Sequence, residues 1–482
     1  MCYAMGINMN ILCAYGEANP FIATGGLGEV AASFTRSIRE KITNCRIVLP
    51  LYSDIPEAMR SKMKFLTNFT VQLGWRQQYC GIFEVHVSGT TYYFVDNEYY
   101  FKRSGIYGHP DDGERFAFFS RAVLEMIKYI HYPTDIIHSN DWQTGLIPVF
   151  YKLLYSKIEE YKNIKTIFTI HNLLYQGQFG LEFFSDVLGL NPQDLPLLEY
   201  NGCINLVKAA IETADAVTTV SQTYAEEIKD PVFGYGLDEI LRKHSDKITG
   251  ITNGIDMELY DPETDESILK NYCSNDLSGK EKNKEALQKL FNLPVDSSTP
   301  IIGMVTRMVD TKGLDLVREV IQDILCQKVQ VVLLGAGDPV NETFFQDIAK
   351  KFPAKMAIKI GYHPDIARKI YAGADLFLKP SKSELCGLSQ MVALRYGTIP
   401  IVRETGGLKD TVIDCEEENG NGFTFRRYSS DDMLEAIERG LDLYSDKMAW
   451  ESLIKRAMEC NNCWQNSAEK YITLYKKLLN QK

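Results

Sequence analysis

Short apolar runs alternate with amphipathic segments of helical length along most of the chain. Ile136 and Ile137 form one such run, whereas residues 27–39 repeat their apolar positions every three or four residues. The first pattern predicts buried strands and the second predicts helices that cover them, as in parallel βα units. In the first half of the chain, the predicted strands are 10–15, 45–51, 136–138, 166–171 and 216–220.

One part of the first half follows a different pattern. Residues 66–99 alternate apolar and polar side chains with a period of two. This period is typical of strands with one solvent-facing side. We therefore expect antiparallel hairpins inserted among the parallel units.

The second half begins a new series of βα units. A polar segment at 259–300 precedes this series, and we interpret it as the interdomain connection. The predicted strands that follow are 301–305, 329–334, 357–360, 376–378 and 399–402.

Two such series define the expected fold class. At 482 residues the chain is too long for one hydrophobic core. We predict an α/β protein with two doubly wound Rossmann-like domains facing across a cleft. The expected domains are an N-terminal one at 1–254 and a C-terminal one at 255–460, and a C-terminal helix at 461–482 is expected to return to the N-terminal domain.

Charge and apolar content limit the partners. The net charge is −11 and no basic run occurs, so nucleic acid and anionic membrane are poor partners, whereas a neutral polysaccharide remains open. No apolar run approaches the roughly 20 residues of a transmembrane helix. The first residues lack the pattern of a signal peptide.

The cysteines indicate a reducing compartment. Eleven are scattered without framework spacing, which favours free thiols and a cytoplasmic protein. Cys460 and Cys463 form a lone CxxC pair, and because a zinc site needs about four ligands we interpret them as plain thiols.

Polar side chains and glycines gather at the predicted strand ends. Glu384 follows the strand at 376–378, and a second unit leads from 399–402 into Thr405, Gly406 and Gly407. Open parallel sheets bind ligands at this edge, and helix N-termini attract phosphate. The arrangement predicts a nucleotide-sugar site.

Eight landmarks connect the chain with a known family. In chain order they are TGGL at 24–27, NDWQTGL at 140–146, HNLLYQG at 171–177, NGID at 253–256, RMVDTKGL at 307–314, GAGD at 335–338, GYH at 361–363 and the segment 381–412. Together they resemble bacterial glycogen synthase and plant starch synthase, which are retaining glucosyltransferases of the glycosyltransferase-B fold. The resemblance runs from residue 10 to about residue 475.

The resemblance implies a donor site in the second domain. On spacing alone, Arg307 and Lys312 could be solvated cations, and Glu384 could merely cap a helix. The resemblance implies instead that the two cations hold the nucleoside diphosphate, and that Glu384 faces the transferred glucose and stabilises an oxocarbenium-like transition state. The other expected donor-binding residues are Gly25, Gly26, Asn253, Tyr362, Cys386, Gly387, Leu388, Thr405, Gly406 and Gly407.

Three further residues gain a role from the resemblance. His171 ends a predicted strand and could be a core residue, but the resemblance puts it beside the donor sugar as a catalytic residue. Asp141 could be a helix N-cap, and the resemblance puts it on the acceptor side. Tyr362 could belong to the core, and the resemblance suggests that it stacks on the nucleotide base. His138 we interpret as structural.

Two positions depart from the family pattern. The family usually has Lys immediately before its TGGL motif, whereas this chain has Ala23. It often has His where Asn140 stands. The first departure removes a cation that is expected near the donor phosphates.

The predicted function is transfer of glucose from ADP-glucose to the non-reducing end of an α-1,4-glucan with retention of configuration. We expect no cofactor and no metal, because Arg307 and Lys312 can replace a divalent ion at the diphosphate. Two alternatives stay open: a related glycosyltransferase that uses UDP-glucose or another acceptor, and a non-catalytic glucan-binding paralogue, which only Ala23 supports.

Overall fold

The computed structural model describes residues 7–39 and 42–480. The chain divides into two compact units. Unit 1 comprises the described residues of Met1–Ile251 and Trp464–Lys482, and unit 2 comprises Thr252–Cys463. Each unit is built around its own sheet and is described by itself below.

The large sheet of unit 1 has nine strands. Its strands are β1 (Ile7–Ala14), β2 (Ile42–Pro50), β3 (Lys64–Leu73), β4 (Arg76–Val87), β5 (Thr90–Asp96), β6 (Ile136–Asn140), β7 (Lys165–Ile170), β11 (Ala216–Thr219) and β12 (Ile248–Gly250). A separate small sheet contains β8 (Gln178–Phe179), β9 (Glu199–Tyr200) and β10 (Cys203–Asn205).

The strand order of the large sheet is β12-β11-β7-β6-β1-β2-β5-β4-β3. Strands β12 to β5 pair in parallel, whereas β3, β4 and β5 form antiparallel hairpins. The period-two alternation of residues 66–99 therefore predicted the hairpins correctly. The small sheet was not predicted, because strands of two or three residues leave no periodic signal.

Helices of 4 to 15 residues connect the strands of unit 1. They are α1 (Gly26–Arg39), α2 (Glu57–Arg60), α3 (Glu98–Phe101), α4 (Asp112–Met126), α5 (Leu146–Phe150), α6 (Leu195–Leu198), α7 (Leu206–Thr213), α8 (Gln222–Glu227) and α9 (Asp238–Lys243). The 3₁₀ turns of this unit are Trp142–Thr144, Pro192–Asp194 and Ser245–Lys247, and its π-helical turns are Tyr151–Tyr155 and Phe184–Leu188.

Unit 2 contains a six-stranded parallel sheet. Its strands are β13 (Ile301–Val305), β14 (Gln330–Gly335), β15 (Met356–Ile360), β16 (Leu376–Lys379), β17 (Ile399–Arg403) and β18 (Phe423–Phe425), in the order β15-β14-β13-β16-β17-β18. Its helices are α10 (Ser278–Leu290), α11 (Leu314–Cys326), α12 (Pro339–Lys351), α13 (Pro364–Gly373), α14 (Ser389–Arg395), α15 (Gly406–Thr411), α16 (Ser430–Ser445) and α17 (Lys447–Met458), with a 3₁₀ turn at Asp310–Lys312.

The sequence predicted that the polar segment at 259–300 is the interdomain connection, but this segment is part of unit 2. It contains α10, which packs on α13 inside unit 2. Leu287 of α10 lies in one buried cluster with Ile370, and the backbone of Gly373 passes so close to α10 that an added Cβ would lie 2.7 Å from the carbonyl oxygen of Asn283. The wide polar face of α10 concealed this packing surface.

The last helix, α18 (Trp464–Asn480), belongs to unit 1. Its buried face includes Tyr471 and Tyr475, which stand four residues apart on one side of the helix. The ring of Tyr471 meets that of Phe34 of α1, with 4.9 Å between ring centroids. The hydroxyl of Tyr475 lies 2.8 Å from the Nδ1 atom of His138, so this histidine joins β6 to α18.

Candidate active site

The strand order of the unit 2 sheet reverses between β13 and β16. The chain runs outward from β13 through β14 to β15, and then returns to pair β16 on the other side of β13. The carboxyl ends of these two neighbouring strands therefore form a topological switch point, which is where open α/β sheets bind ligands. Lys312 lies in the loop after β13, and Glu384 lies in the loop after β16.

Lys312 and Glu384 form a sheltered ion pair at this point. The Nζ atom of Lys312 lies 2.8 Å from the Oε2 atom of Glu384, and the hydroxyl of Ser381 donates to the same oxygen at 2.9 Å. Burial alone would raise the pKa of Glu384, but the charges of Lys379 and Lys312 outweigh it and lower the pKa to about 2. Glu384 is therefore a carboxylate at neutral pH.

Lys379 is a third charged member of this cluster, and sequence reasoning missed it. Its Nζ atom lies 3.5 Å from Oε2 of Glu384 and donates to Ser389 and Gln390. Burial lowers the pKa of Lys379, and the neighbouring Glu384 carboxylate opposes that shift. The signal was a lysine at the end of an otherwise apolar strand.

Backbone contacts hold the two loops together. The carbonyl oxygen of Thr311 accepts a hydrogen bond from the N–H of Lys382 at 3.0 Å. Gly313 has φ 70°, and an added Cβ there would lie 1.9 Å from the carbonyl oxygen of Pro380. Arg403, at the end of β17, donates to the carbonyl oxygen of Ser381. These contacts fix Lys312 and Glu384 relative to each other.

The glycines at 406 and 407 let a neighbouring loop lie directly on the Glu384 loop. An added Cβ at Gly406 would lie 1.7 Å from the carbonyl oxygen of Glu384, and one at Gly407 would lie 2.1 Å from that of Cys386. Gly406 also has φ 45°, which disfavours any side chain. Thr405, which precedes them, is buried. Close packing of two loops is therefore sufficient to explain both glycines.

The turn at 386–388 is similarly enclosed. The buried sulfur of Cys386 accepts a hydrogen bond from the backbone N–H of Asn253, and burial raises the pKa of the thiol to about 12. Gly387 has φ 73°, and an added Cβ would lie 2.9 Å from Nζ of Lys379. Leu388 is half-buried immediately before α14.

Two of the predicted residues of unit 2 are exposed instead. Arg307 extends from the loop after β13, and no hydrogen bond or ion pair joins its side chain to another described residue. Tyr362 follows β15 with 90% of its surface exposed, which excludes the core interpretation of this ring. Both side chains are accessible to a ligand.

The strand order of the large sheet in unit 1 reverses in the same way between β1 and β6. Asp141 immediately follows β6 and has φ 57° and ψ 177°, a backbone region that is essentially restricted to glycine. Its Oδ1 atom accepts from the backbone N–H groups of His171, at 2.7 Å, and Asn172. Burial raises the pKa of Asp141 to about 7, and the nearby Glu17 adds to this effect.

The ring of His171 has a defined tautomer. Its Nε2 atom lies 2.8 Å from Oδ1 of Asn140. The amide nitrogen of Asn140 donates to the carbonyl oxygens of Ala14 and His138, so its Oδ1 atom must be an acceptor. His171 therefore donates through Nε2–H, and its Nδ1 atom, which has no partner among the described residues, is left as an acceptor. Burial lowers the pKa of His171 to about 3, so the ring is neutral.

His138 has a structural role. Both ring nitrogens are occupied, Nδ1 by Tyr475 and Nε2 by Thr169 at 2.6 Å. Burial lowers its pKa to about 3. It is held inside unit 1, in agreement with the sequence interpretation.

Glu17 organises the glycine turn before α1, which sequence reasoning also missed. This buried carboxylate accepts from the backbone N–H and the hydroxyl of Thr24 and from the N–H of Gly28. Gly25 and Gly26 are exposed, and an added Cβ at either would meet no atom within 4 Å. Neither glycine is thus required by packing within the unit.

Ala23 is exposed and packs its Cβ against α1. An added Cβ at Gly28 would lie 2.4 Å from the Cβ of Ala23. A longer side chain at position 23 can extend into solvent beyond this contact.

Over residues 7–39 and 42–480, no group of three or more His, Cys, Asp or Glu side chains could hold a metal ion. In the same residues no helix is both long and apolar enough to cross a membrane. Cys460 and Cys463 are free thiols.

Known families match both units. A family model of the starch synthase catalytic domain matches residues 10–243, and a model of glycosyl transferases group 1 matches residues 287–457. The glycogen synthase of Bacillus cereus (strain Q1) is 47% identical over 98% of this chain and 100% of its own length. Those of Bacillus cytotoxicus and Desulforamulus reducens are 48% and 46% identical, each over 98% of this chain and 99% of their own length.

Solved structures give the same result. The catalytic domain of starch synthase IV from Arabidopsis thaliana, bound to ADP and acarbose, aligns with a TM-score of 0.88 and 33% identity over 98% of this chain and all of that one. A sucrose-phosphate synthase from Thermosynechococcus elongatus aligns with a TM-score of 0.61 and 16% identity, which shows a shared fold alone.

Two α/β units, each with a doubly wound sheet, together with these matches define a glycosyltransferase of the glycosyltransferase-B fold. The predicted fold class is confirmed. Within that class, the chain belongs to the glycogen synthase family, which includes the starch synthases, and it is an enzyme.

Proposed function

We propose that the chain transfers glucose from ADP-glucose to the non-reducing end of an α-1,4-glucan, with retention of configuration. The observation that carries this proposal is the Lys312–Glu384 ion pair, which lies where the strand order of the parallel sheet in unit 2 reverses. It combines a cation suited to a diphosphate with a carboxylate suited to a sugar cation. The ADP in the related starch synthase structure supports adenine as the base.

The exposed groups of unit 2 supply the remaining donor contacts in this proposal. Arg307 is free to form a bidentate hydrogen-bonded pair with the diphosphate, and Tyr362 presents an open ring face to the nucleotide base. The two packed glycine-containing turns lie beside the Glu384 loop and complete the predicted donor set. The residues of these turns are Cys386, Gly387, Leu388, Thr405, Gly406 and Gly407.

In unit 1, we assign His171 to the donor sugar and Asp141 to the acceptor. The unpartnered Nδ1 atom of the neutral His171 can accept a hydrogen bond from the sugar hydroxymethyl group. Gly25 and Gly26 offer bare backbone for close approach of the donor, since neither packing nor positive φ accounts for them.

The proposed reaction proceeds on one face of the sugar. The bond between C1 and the diphosphate oxygen breaks, and a bond from C1 to the acceptor hydroxyl oxygen forms on the same face. The proton of that hydroxyl passes to the leaving phosphate, whose charge Arg307 and Lys312 stabilise. The carboxylate of Glu384 stabilises the positive charge that develops on the sugar.

A direct assay tests the proposal. The purified chain is incubated with glycogen and radiolabelled ADP-glucose or UDP-glucose, and the polymer is digested with an α-1,4-specific hydrolase. We expect label from ADP-glucose to enter the polymer and to be released by the hydrolase. A preference for UDP-glucose would show that UDP-glucose is the donor instead of ADP-glucose. No transfer from either nucleotide sugar would overturn the proposed activity.

Ala23 supports one alternative, a glucan-binding paralogue without activity. A charge-assisted hydrogen bond contributes roughly 1.5–3 kcal/mol, so loss of a family lysine could weaken donor capture by about tenfold. We favour an active enzyme, because Arg307 together with the Lys312, Lys379 and Glu384 cluster supplies net positive charge for the diphosphate. The variant Ala23→Lys should therefore change the donor KM by less than about tenfold. Conversion of an inert chain into an active one by Ala23→Lys would instead establish the paralogue.

A further inference from the structure

Lys379 is a charged residue in the interior of a parallel sheet. It ends β16, which pairs on one side with β13 and on the other with β17. The other residues of the strand are Leu376, Phe377 and Leu378, and the Lys379 residue is 8% exposed. A buried ammonium group is costly unless it is paired.

The ammonium group is fully satisfied by the residues of the Glu384 loop and of α14. Its three N–H donors are matched by Oε2 of Glu384, the hydroxyl of Ser389 and the side-chain oxygen of Gln390. These partners direct the group towards the candidate active site of unit 2 and not towards the sheet interior. Two ammonium groups, those of Lys312 and Lys379, thus share one carboxylate, which leaves the cluster with one net positive charge.

Three side chains donate to a single oxygen of Glu384. Lys312, Lys379 and Ser381 contact Oε2, whereas no hydrogen bond within the described residues uses Oε1. With Oε2 occupied, Oε1 is the oxygen left for a ligand. Without Lys379, Lys312 would be the single cation compensating the carboxylate, and the cluster would have no net charge to offer a phosphate.

We propose that Lys379 is a positioning residue of the donor site, which shares the Glu384 carboxylate with Lys312, so that the carboxylate does not fully neutralise Lys312 and positive charge remains for the diphosphate. This inference rests on the proposed donor site of unit 2. Lys379 acts through its two neighbours and does not touch the donor itself. The role belongs to this chain's own charge arrangement, in which one carboxylate is paired with two lysines.

The alternative is that Lys379 only supports the fold. A supporting role predicts lower thermal stability on substitution, with no effect on ligand affinity. Lys284 is a matched control, because it is also a buried lysine of unit 2 and its Nζ atom lies 2.8 Å from a carboxylate oxygen of Asp375. Lys284→Met should lower Tm without changing the affinity for ADP.

The first test is calorimetric titration of ADP into the purified chain and into Lys379→Met. We expect the variant to bind ADP about tenfold more weakly, with a shallower dependence on salt, because the cluster loses its net charge. Equal affinity in a folded Lys379→Met, as judged by a cooperative thermal transition, would overturn the proposal. Absence of ADP binding by the unmodified chain would instead contradict the proposed donor site itself.

The second test is the pH dependence of ADP affinity, measured in the unmodified chain and in Lys379→Arg. The charged groups that face Lys379 are Glu384 and Lys312, and the adjacent Cys386 thiol is protonated because burial raises its pKa to about 12. Since burial lowers the pKa of Lys379, ADP affinity should fall as pH rises on the basic side. Lys379→Arg, whose guanidinium does not titrate, should shift that fall to higher pH. A flat affinity up to pH of about 10, or no shift in the arginine variant, would contradict the inference.

Discussion

The Nε2–H group of His171 donates a hydrogen bond across 2.8 Å to Oδ1 of Asn140. Asn140 is one of the two positions at which this chain departs from the family pattern. The departure is accommodated, because the asparagine amide is itself oriented by two backbone carbonyl groups and presents a fixed acceptor to the histidine. It thereby sets which ring nitrogen of His171 is available to a ligand.

The first prediction concerns this hydrogen bond. Asn140→Ala removes the acceptor, so the His171 ring should populate both tautomers and kcat should fall about tenfold, the order of one hydrogen bond. Imidazole ¹⁵N chemical shifts measure the tautomer directly. An unchanged tautomer together with unchanged kcat would show that Asn140 does not control the ring.

The second prediction concerns the stability cost of Asp141. The pKa of Asp141 is about 7 in the folded state, above its ordinary value of 3.8. Between pH 3.8 and pH 7 the folded state therefore retains a proton that the unfolded state releases. The contribution of Asp141 to stability therefore falls as pH rises through this range. Asp141→Asn should be more stable than the parent at pH 8 by at least ~1 kcal/mol, with little difference near pH 4, while losing activity.

Thermal unfolding at the two pH values measures this difference. Asp230→Asn is the control, since Asp230 is an exposed carboxylate of unit 1 that also accepts a backbone N–H. It should give the same Tm as the parent at both values. A stabilisation by Asp141→Asn that is independent of pH would assign the effect to backbone strain at φ 57° instead of to the buried charge.

The third prediction separates two kinds of glycine. Gly406→Ala should lower Tm and activity together, because the new Cβ meets the carbonyl oxygen of Glu384. Gly25→Ala meets no atom and should leave Tm unchanged, but it should raise the donor KM if the backbone there approaches the donor. Parallel measurements of Tm and KM distinguish the cases, and an unchanged KM in Gly25→Ala would remove this residue from the donor site.

The fourth prediction is that glucose transfer survives exhaustive treatment with EDTA. In the proposed donor site, Lys312, Lys379 and the exposed Arg307 would provide the positive charge that the diphosphate requires. Initial rates before and after chelation test this. A collapse that Mg²⁺ or Mn²⁺ restores would show that side-chain charge is not enough.

The sequence predicted most strands of the two larger sheets, because these strands are apolar runs. It did not predict β12 and β18, which have three residues each. The strand predicted at 301–305 is Ile301–Val305, and that at 399–402 is Ile399–Arg403. It did not predict α10, whose buried Leu287 depends on α13, a helix much later in the chain. Packing of a mainly polar helix is a tertiary property that a local pattern does not report.

The candidate sites were predicted less completely. The landmarks indicated Lys312 and Glu384, and the structure brings these two together in one ion pair. Lys379 and Glu17 were missed, because each acts through loop contacts that form only on folding: Lys379 with Glu384, and Glu17 with the turn before α1. The lysine at the end of an apolar strand is a signal for Lys379, but the local pattern does not identify the partner of either residue.

The most direct test of the account is the turnover of Glu384→Ala and Glu384→Gln with ADP-glucose and glycogen, together with ADP affinity measured by titration. We predict that kcat falls by about 10²–10³ in both variants, while ADP binding is retained because Lys312 and Lys379 keep their charge. Near-parental turnover in a folded variant would contradict the assignment of Glu384, and with it the catalytic role of the charged cluster in unit 2.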